Sequence, residues 1–105
     1  MDLYELRTYK IVVGKLQEVL KLYETEGWPA LDPHKDKLVG YFVGDVGGMN
    51  ELIHVWKYTD DADRRAHWAA VYANEKFMAF AAKLRPNLIS QENKLMVGAP
   101  WGPRP

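Results

Sequence analysis

Two short stretches bring together the side chains best suited to chemistry. In "LYELRTYKIV", Glu5, Arg7 and Tyr9 alternate. In "NELIHVWKY", His54, Trp56 and Tyr58 do the same, and Asn50 opens the stretch. A histidine titrates near neutrality, which suits a general base or a hydrogen-bond donor to a bound molecule. An arginine presents a planar fork that clamps a carboxylate or phenolate oxygen. Arg7 beside a base at His54 would stabilise an enolate or phenolate formed there. Glu5, Glu92 and Asn50 add polar contacts, and Tyr9, Trp56 and Tyr58 offer aromatic walls. Each also has a structural alternative. His54 can be a hydrogen-bonded interior histidine, Arg7 and Glu92 a register-fixing ion pair, and the aromatics plain core.

Other motifs carry less. His34 lies between Asp32 and Asp36, but no HxH or HxxxH spacing accompanies it, so a solvated loop is expected and no metal. Gly44, Gly47 and Gly48 cluster without a phosphate-binding continuation. Ser90 is the only serine and no GxSxG occurs, which argues against a serine hydrolase. There is no cysteine, hence no disulfide, thiolate site or Cys nucleophile, and no cofactor is expected.

These side chains must be positioned by strands. Leu3 to Val12 alternates with period two and reads as a strand. Gly14 breaks it, and Leu16, Val19, Leu20 and Tyr23 then recur at helical spacing until Gly27 and Pro29 end or kink the helix. Two apolar runs separated by "DVGG" predict a hairpin, with strands over about Leu38 to Val46 and Glu51 to Thr59. "TDDADRRAHWAAVYANEKFMAFAAKL" begins acidic and continues in helix formers, with a division expected at Asn74 to Glu75. In that helix Trp68 and Tyr72, four apart, would cover the sheet. Pro86 precedes a last strand, Leu88 to Val97, and a Pro-rich tail from about 99. The order β-α-β-β-α-β is that of an α+β, ferredoxin-like fold, a four-stranded antiparallel sheet with both helices on one face.

The 105 residues make one domain, with fourteen acidic and fourteen basic side chains and no basic run beyond Arg64-Arg65. A bulk positive field for nucleic acid or anionic membrane is therefore absent. No apolar run nears the roughly 20 residues that span a bilayer, and the charged "MDLYELRTY" does not resemble a signal peptide, so a cytoplasmic protein is expected.

The third strand is apolar on both faces: Leu52, His54, Trp56 and Tyr58 share one, Ile53 and Val55 the other. The compact β-branched pair is expected beneath the helices. The aromatic face would then be open, an apolar patch too large for a monomer. A homodimer that stacks two such faces closes a shared barrel and encloses His54, with Glu5, Arg7 and Tyr9 facing inward.

"YELRTY", "GYF", "NELIHVWKY", "ADRR" and "QEN", in that order and spacing from Tyr4 to about Val97, resemble the NIPSNAP family of dimeric α+β barrel domains. Val55 stands where leucine is more usual. The resemblance implies the same fold and a dimer, with the closest likeness to small bacterial single-domain members, but assigns no reaction to particular residues.

The leading expectation is a homodimeric barrel that binds a small apolar or aromatic molecule in its interior. One alternative is a cofactor-independent monooxygenase or isomerase using His54 and Arg7. Another is a non-catalytic interaction module with a filled barrel. A cavity of a few hundred Å³ around His54 would favour a ligand.

Overall fold

The computed structural model describes residues 1–105. Strand β1 (Leu3–Ile11) leads into helix α1 (Leu16–Leu22), a π-helical turn (Tyr23–Gly27) and a short helix α2 (Trp28–Ala30). A 3₁₀ segment (Asp32–Lys37) feeds β2 (Leu38–Val43), which turns back as β3 (Glu51–Tyr58). Helices α3 (Asp61–Ala73) and α4 (Glu75–Leu84) and a 3₁₀ turn (Arg85–Asn87) precede β4 (Leu88–Val97). The strands form one antiparallel sheet in the order β2-β3-β1-β4, as the β-α-β-β-α-β pattern predicts. No helix is long and apolar enough to cross a membrane.

Local chemistry accounts for the boundaries. Asp60 caps α3, its carboxylate accepting from the Asp63 amide at 2.8 Å, while Asp63 reaches back to the Thr59 amide at 3.0 Å. Asn74 divides the second helical region as expected, accepting from the amides of Lys76 and Phe77 at the start of α4. The hairpin is shorter than the sequence predicts, because β2 leaves the ladder after Val43 rather than Val46. Gly47 in the connecting loop takes a φ of 86°, open to glycine at little cost.

Gly27 and Pro29 kink the first helix and do not end it. The Trp28 amide bonds back to the Tyr23 carbonyl, a π-type step, and the Thr25 hydroxyl donates to the Lys21 carbonyl at 2.9 Å. Gly27 sits against the buried Phe80 ring, where an added Cβ would stand only 2.5 Å from a ring carbon. The wider turn and the missing side chain together let the first helical region settle on α4.

The main correction concerns the faces of the sheet. Leu52, His54, Trp56 and Tyr58 are the buried residues of β3, and they lie beneath the helices with Glu5, Arg7, Tyr9 and Ile11 of β1. Ile53 and Val55 are on the open face, opposite the expected arrangement, so two copies stacked on that face would not enclose His54, Glu5, Arg7 or Tyr9 as expected. Trp56 and Tyr58 pack with Leu31, Trp68 and Val71, and Tyr9, Ile11 and Leu52 pack with Val19, Phe80 and Leu84. Two physical reasons favour this outcome. Large aromatics bury more area than β-branched residues in the wide gap between sheet and helices. Glu5, Arg7 and His54 share their face, and a charged side chain can be desolvated only where partners reach it, which here include a donor on α3.

The open face carries Leu6, Thr8, Ile53, Val55 and Phe42, with Phe42 54% exposed. At one end the Tyr4 hydroxyl donates to the Pro105 carbonyl at 3.1 Å, so the C-terminal tail folds back beside this face.

Candidate functional site

Antiparallel register sets one row across the sheet: Tyr41 opposite His54, His54 opposite Arg7, and Arg7 opposite Asn93. The neighbouring row runs Val43, Leu52, Tyr9 and Gln91. Both rows point at the helices, and between the layers lies a cavity of about 40 Å³. Arg7, Tyr9, Tyr23, Tyr41 and His54 line it, with Trp68 and Tyr72 of α3. Arg85 and Gln91, both exposed, belong to its rim.

Glu5 anchors the arrangement. The carboxylate is fully buried and accepts from the Trp68 indole at 2.7 Å, the Tyr58 hydroxyl at 2.9 Å and Arg7 Nη1 at 3.3 Å. Arg64 approaches it at 3.8 Å. With its acceptors so engaged, Glu5 is a structural counter-ion and not a base. Arg7 lies 4.2 Å from the Trp68 ring centroid and donates through Nε to the Tyr9 hydroxyl at 3.2 Å. These bonds use two of the five guanidinium N–H groups.

His54 is 1% exposed. Its Nδ1 accepts from the Trp56 indole at 2.7 Å, and an indole N–H can only donate. Burial first, and the Arg7 charge second, hold the His54 pKa well below its ordinary value, so the ring is neutral. A neutral imidazole that accepts at Nδ1 carries its proton on Nε2. That buried Nε2–H has no partner in the protein. Tyr41 stacks on the ring at 4.5 Å, and Tyr9 meets it edge-on at 4.8 Å, which fixes its orientation. Burial likewise raises the Tyr9, Tyr23 and Tyr41 pKa values, so these hydroxyls keep their protons.

The chemistry of the cavity follows from these assignments. His54 Nε2–H, the Tyr9 hydroxyl proton and the remaining Arg7 N–H groups are all donors. The arrangement suits an oxygen acceptor and contains no free base, so of the two roles expected for His54 the geometry favours the hydrogen-bond donor over the general base. The volume falls short of the few hundred Å³ expected of a site for a whole ligand, and admits a few waters or a small head group, not a whole aromatic molecule.

The other expected site residues divide clearly. Trp56 and Tyr58 support the site from behind, through His54 and Glu5 respectively, and neither lines the cavity. Asn50 lies at the hairpin end, where its carbonyl accepts from the Ile11 amide at 2.8 Å, away from the cavity. Glu92 pairs in register with Thr8, which puts it on the open face, exposed and remote from Arg7. The expected Arg7–Glu92 pair is replaced by Arg7–Glu5.

Trp68, Tyr72, Tyr23 and Tyr41 are cavity residues that the strand-centred reading missed as such. The i, i+4 spacing of Trp68 and Tyr72 was the available signal. Around His34, no group of three or more potential ligands could hold a metal ion. His34 instead sits 3.2 Å from the Asn74 amide and faces His67.

Comparison with known proteins agrees with the geometry. The NIPSNAP family pattern matches residues 4–103. The human protein NipSnap homolog 3A is 31% identical over 102 residues, covering 93% of this chain and 40% of that protein. The chain thus spans about two-fifths of the length of such relatives. A crystal structure of a NIPSNAP family protein from Agrobacterium tumefaciens superposes with a TM-score of 0.91 at 33% identity, covering 98% of both chains. An antibiotic biosynthesis monooxygenase shares the fold at 18% identity, with a TM-score of 0.67 and 93% and 99% of the two chains covered. The ordered motifs of the strands, the sheet they build and the match over residues 4–103 agree that this chain belongs to the NIPSNAP family.

Proposed function

We propose that this protein binds a small organic molecule by an oxygen acceptor held in the cavity between its sheet and helices. One observation carries the reading: a neutral, oriented histidine keeps a buried Nε2–H without a protein partner, beside Tyr9 and Arg7. A buried donor left unpaired costs about 1–3 kcal/mol, which a bound acceptor or an ordered water recovers. Binding is favoured over cofactor-free oxygenation or isomerisation because the polar groups at the inner end of the cavity, His54 Nε2, Tyr9 and Arg7, are donors and none is free to abstract a proton.

Native mass spectrometry of the purified protein is expected to reveal a retained small molecule. Oxygen-bearing small molecules added to ligand-stripped protein should perturb the fluorescence of Trp56 and Trp68, which adjoin the site. If the protein retains nothing and no acceptor perturbs those indoles, the cavity is filled by side chains and water, and the interaction-module reading replaces this one.

The same reading pairs two copies through the open sheet face. Leu6, Ile53, Val55 and Phe42 form a compact apolar centre there, flanked by Lys10, Lys57, Lys94, Glu51 and Glu92. Such a face is more stable covered than solvated. Light scattering at micromolar concentration should give twice the chain mass of 12.1 kDa, and Ile53→Lys should return it to the single-chain value. A wild-type species at the single-chain mass would overturn the pairing.

A further inference from the structure

A second concavity adjoins the cavity. About 220 Å³ in volume, it lies between the first helical region and the β2 edge, lined by Leu20, Trp28, Val43 and Leu52, with Glu24 the only charged residue on its walls. Tyr23 and Tyr41 line both spaces, with ring centroids 5.5 Å apart. They are therefore a partition between a donor-lined inner chamber and an apolar outer groove. Tyr23 reaches this position from the π-helical turn, a distortion found often at functional sites.

Charge distinguishes the two ends. Near the inner chamber the buried Glu5 faces two guanidiniums, Arg7 at 3.3 Å and Arg64 at 3.8 Å, and Arg85 stands at the rim. Arg64 also pairs with Asp61, itself shared with Arg65, so this connected group counts two carboxylates against three guanidiniums. The surplus guanidinium, Arg65, is solvent-exposed, so at the chamber itself an anion meets the Glu5-paired Arg7 and the unpartnered donors, with no bare carboxylate turned inward. At the outer end, Glu24 repels a second anionic group.

We propose that the ligand is an amphipathic monocarboxylic acid, its carboxylate held by Arg7, Tyr9 and His54 and its apolar tail displacing the Tyr23–Tyr41 ring contact to reach the groove. The proposal rests on the binding reading above and names its substrate class. The inner chamber accommodates a carboxylate and little more, which is why the rest of the molecule must leave it. The polar rim of Arg85 and Gln91 is a poor exit for hydrocarbon, and the groove beyond the tyrosines is a good one. An unbranched acyl chain or a short aryl-alkyl chain is the slimmest tail that could part the tyrosines, and Glu24 at the outer end disfavours a dicarboxylate.

The test measures dissociation constants by calorimetry on ligand-stripped wild-type protein, for butanoate, hexanoate, octanoate and decanoate and for the primary amides of the same lengths. Affinity should rise about 3- to 4-fold per methylene until the groove is full. Each carboxylate should bind at least about tenfold better than its amide, and Tyr9→Phe should remove about tenfold from the acids. Val43→Trp, at an exposed position on the groove wall, should weaken decanoate by about tenfold or more and leave butanoate within about twofold. That contrast separates groove occupancy from general damage to the fold. If oxygen-bearing ligands bind but show no preference for carboxylate or no dependence on chain length, the substrate class is wrong while the binding reading stands. If neither the acids nor any other oxygen acceptor binds, both fail.

Discussion

Replacing Glu5 by Gln is expected to destabilise the protein by about 3–5 kcal/mol, the largest single-residue effect in the site. The carboxylate is wholly buried and holds four groups at once: Arg7, Tyr58, Trp68 and, more distantly, Arg64. The glutamine amide keeps one acceptor oxygen but turns an N–H₂ toward a site whose guanidinium and indole groups can only donate, leaving the Tyr58 hydroxyl as its one possible acceptor. It also leaves the Arg7 guanidinium desolvated without its counter-charge. A domain of this size has only about 5–15 kcal/mol of stability, so a large part of it would vanish. Urea denaturation measures the loss. The double variant Glu5→Gln with Arg7→Met should cost clearly less than the sum of its two single changes, because the second removes the stranded charge left by the first. A loss below about 1 kcal/mol for Glu5→Gln alone would contradict the central place assigned to this carboxylate.

Mild acid should destabilise the fold well before its carboxylates titrate. His54 and His67 are both buried, at 1% and 6% exposure, and both carry lowered pKa values. For His54 the causes are burial and then the Arg7 charge. For His67 burial leads, with the neighbouring His34 next and smaller, partly cancelling effects of Asp36, Lys37 and Glu5, and together they lower it to about 4. A histidine whose folded pKa lies below its unfolded value of about 6.5 binds protons preferentially in the unfolded chain. Its stabilising effect is therefore full above the unfolded pKa and is lost as pH falls toward the folded one. Between pH 7 and pH 5 each histidine should remove about 2 kcal/mol from the unfolding free energy. His67→Phe keeps an aromatic ring among Trp56, Tyr58 and Trp68 and takes up no proton, so it should roughly halve the loss over this interval. A denaturation midpoint that stays constant from pH 7 to pH 5 would show that neither histidine is held neutral in the fold.

Much of the architecture was legible in the residues themselves. Period two in Leu3 to Ile11 and Glu51 to Tyr58, helical spacing after Leu16, the Asp60 to Asp63 start of α3 and the capping Asn74 all act within a few residues, where local physics decides. The reach of β2 was overestimated because apolar character alone cannot tell where a hairpin leaves its ladder. The kink at Gly27 was legible, but its π-helical form was not, since that depends on Phe80 more than fifty positions away.

The candidate site was half legible for the same reason. Glu5, Arg7, Tyr9 and His54 could be recognised as partners because register follows from alternation and pairing, and they do converge. Glu92 and Asn50 could not be excluded without the ladder that turns one to the open face and the helical layer that leaves the other at its margin. Trp68, which donates to Glu5 and stacks on Arg7, comes from a helix whose sheet-facing side the i, i+4 spacing marks but whose position over Glu5 and Arg7 no local pattern encodes.

By itself the sequence determined the order of elements, the antiparallel sheet and the sets of residues that must share a face. Only the tertiary structure decided which of those faces the helices cover. A strand's alternation is symmetric under exchange of its two sides. What breaks the symmetry is a non-local requirement, that Trp68 and the rest of the helical layer settle where Glu5, Arg7 and His54 can be desolvated with partners, leaving the His54 Nε2 proton unclaimed.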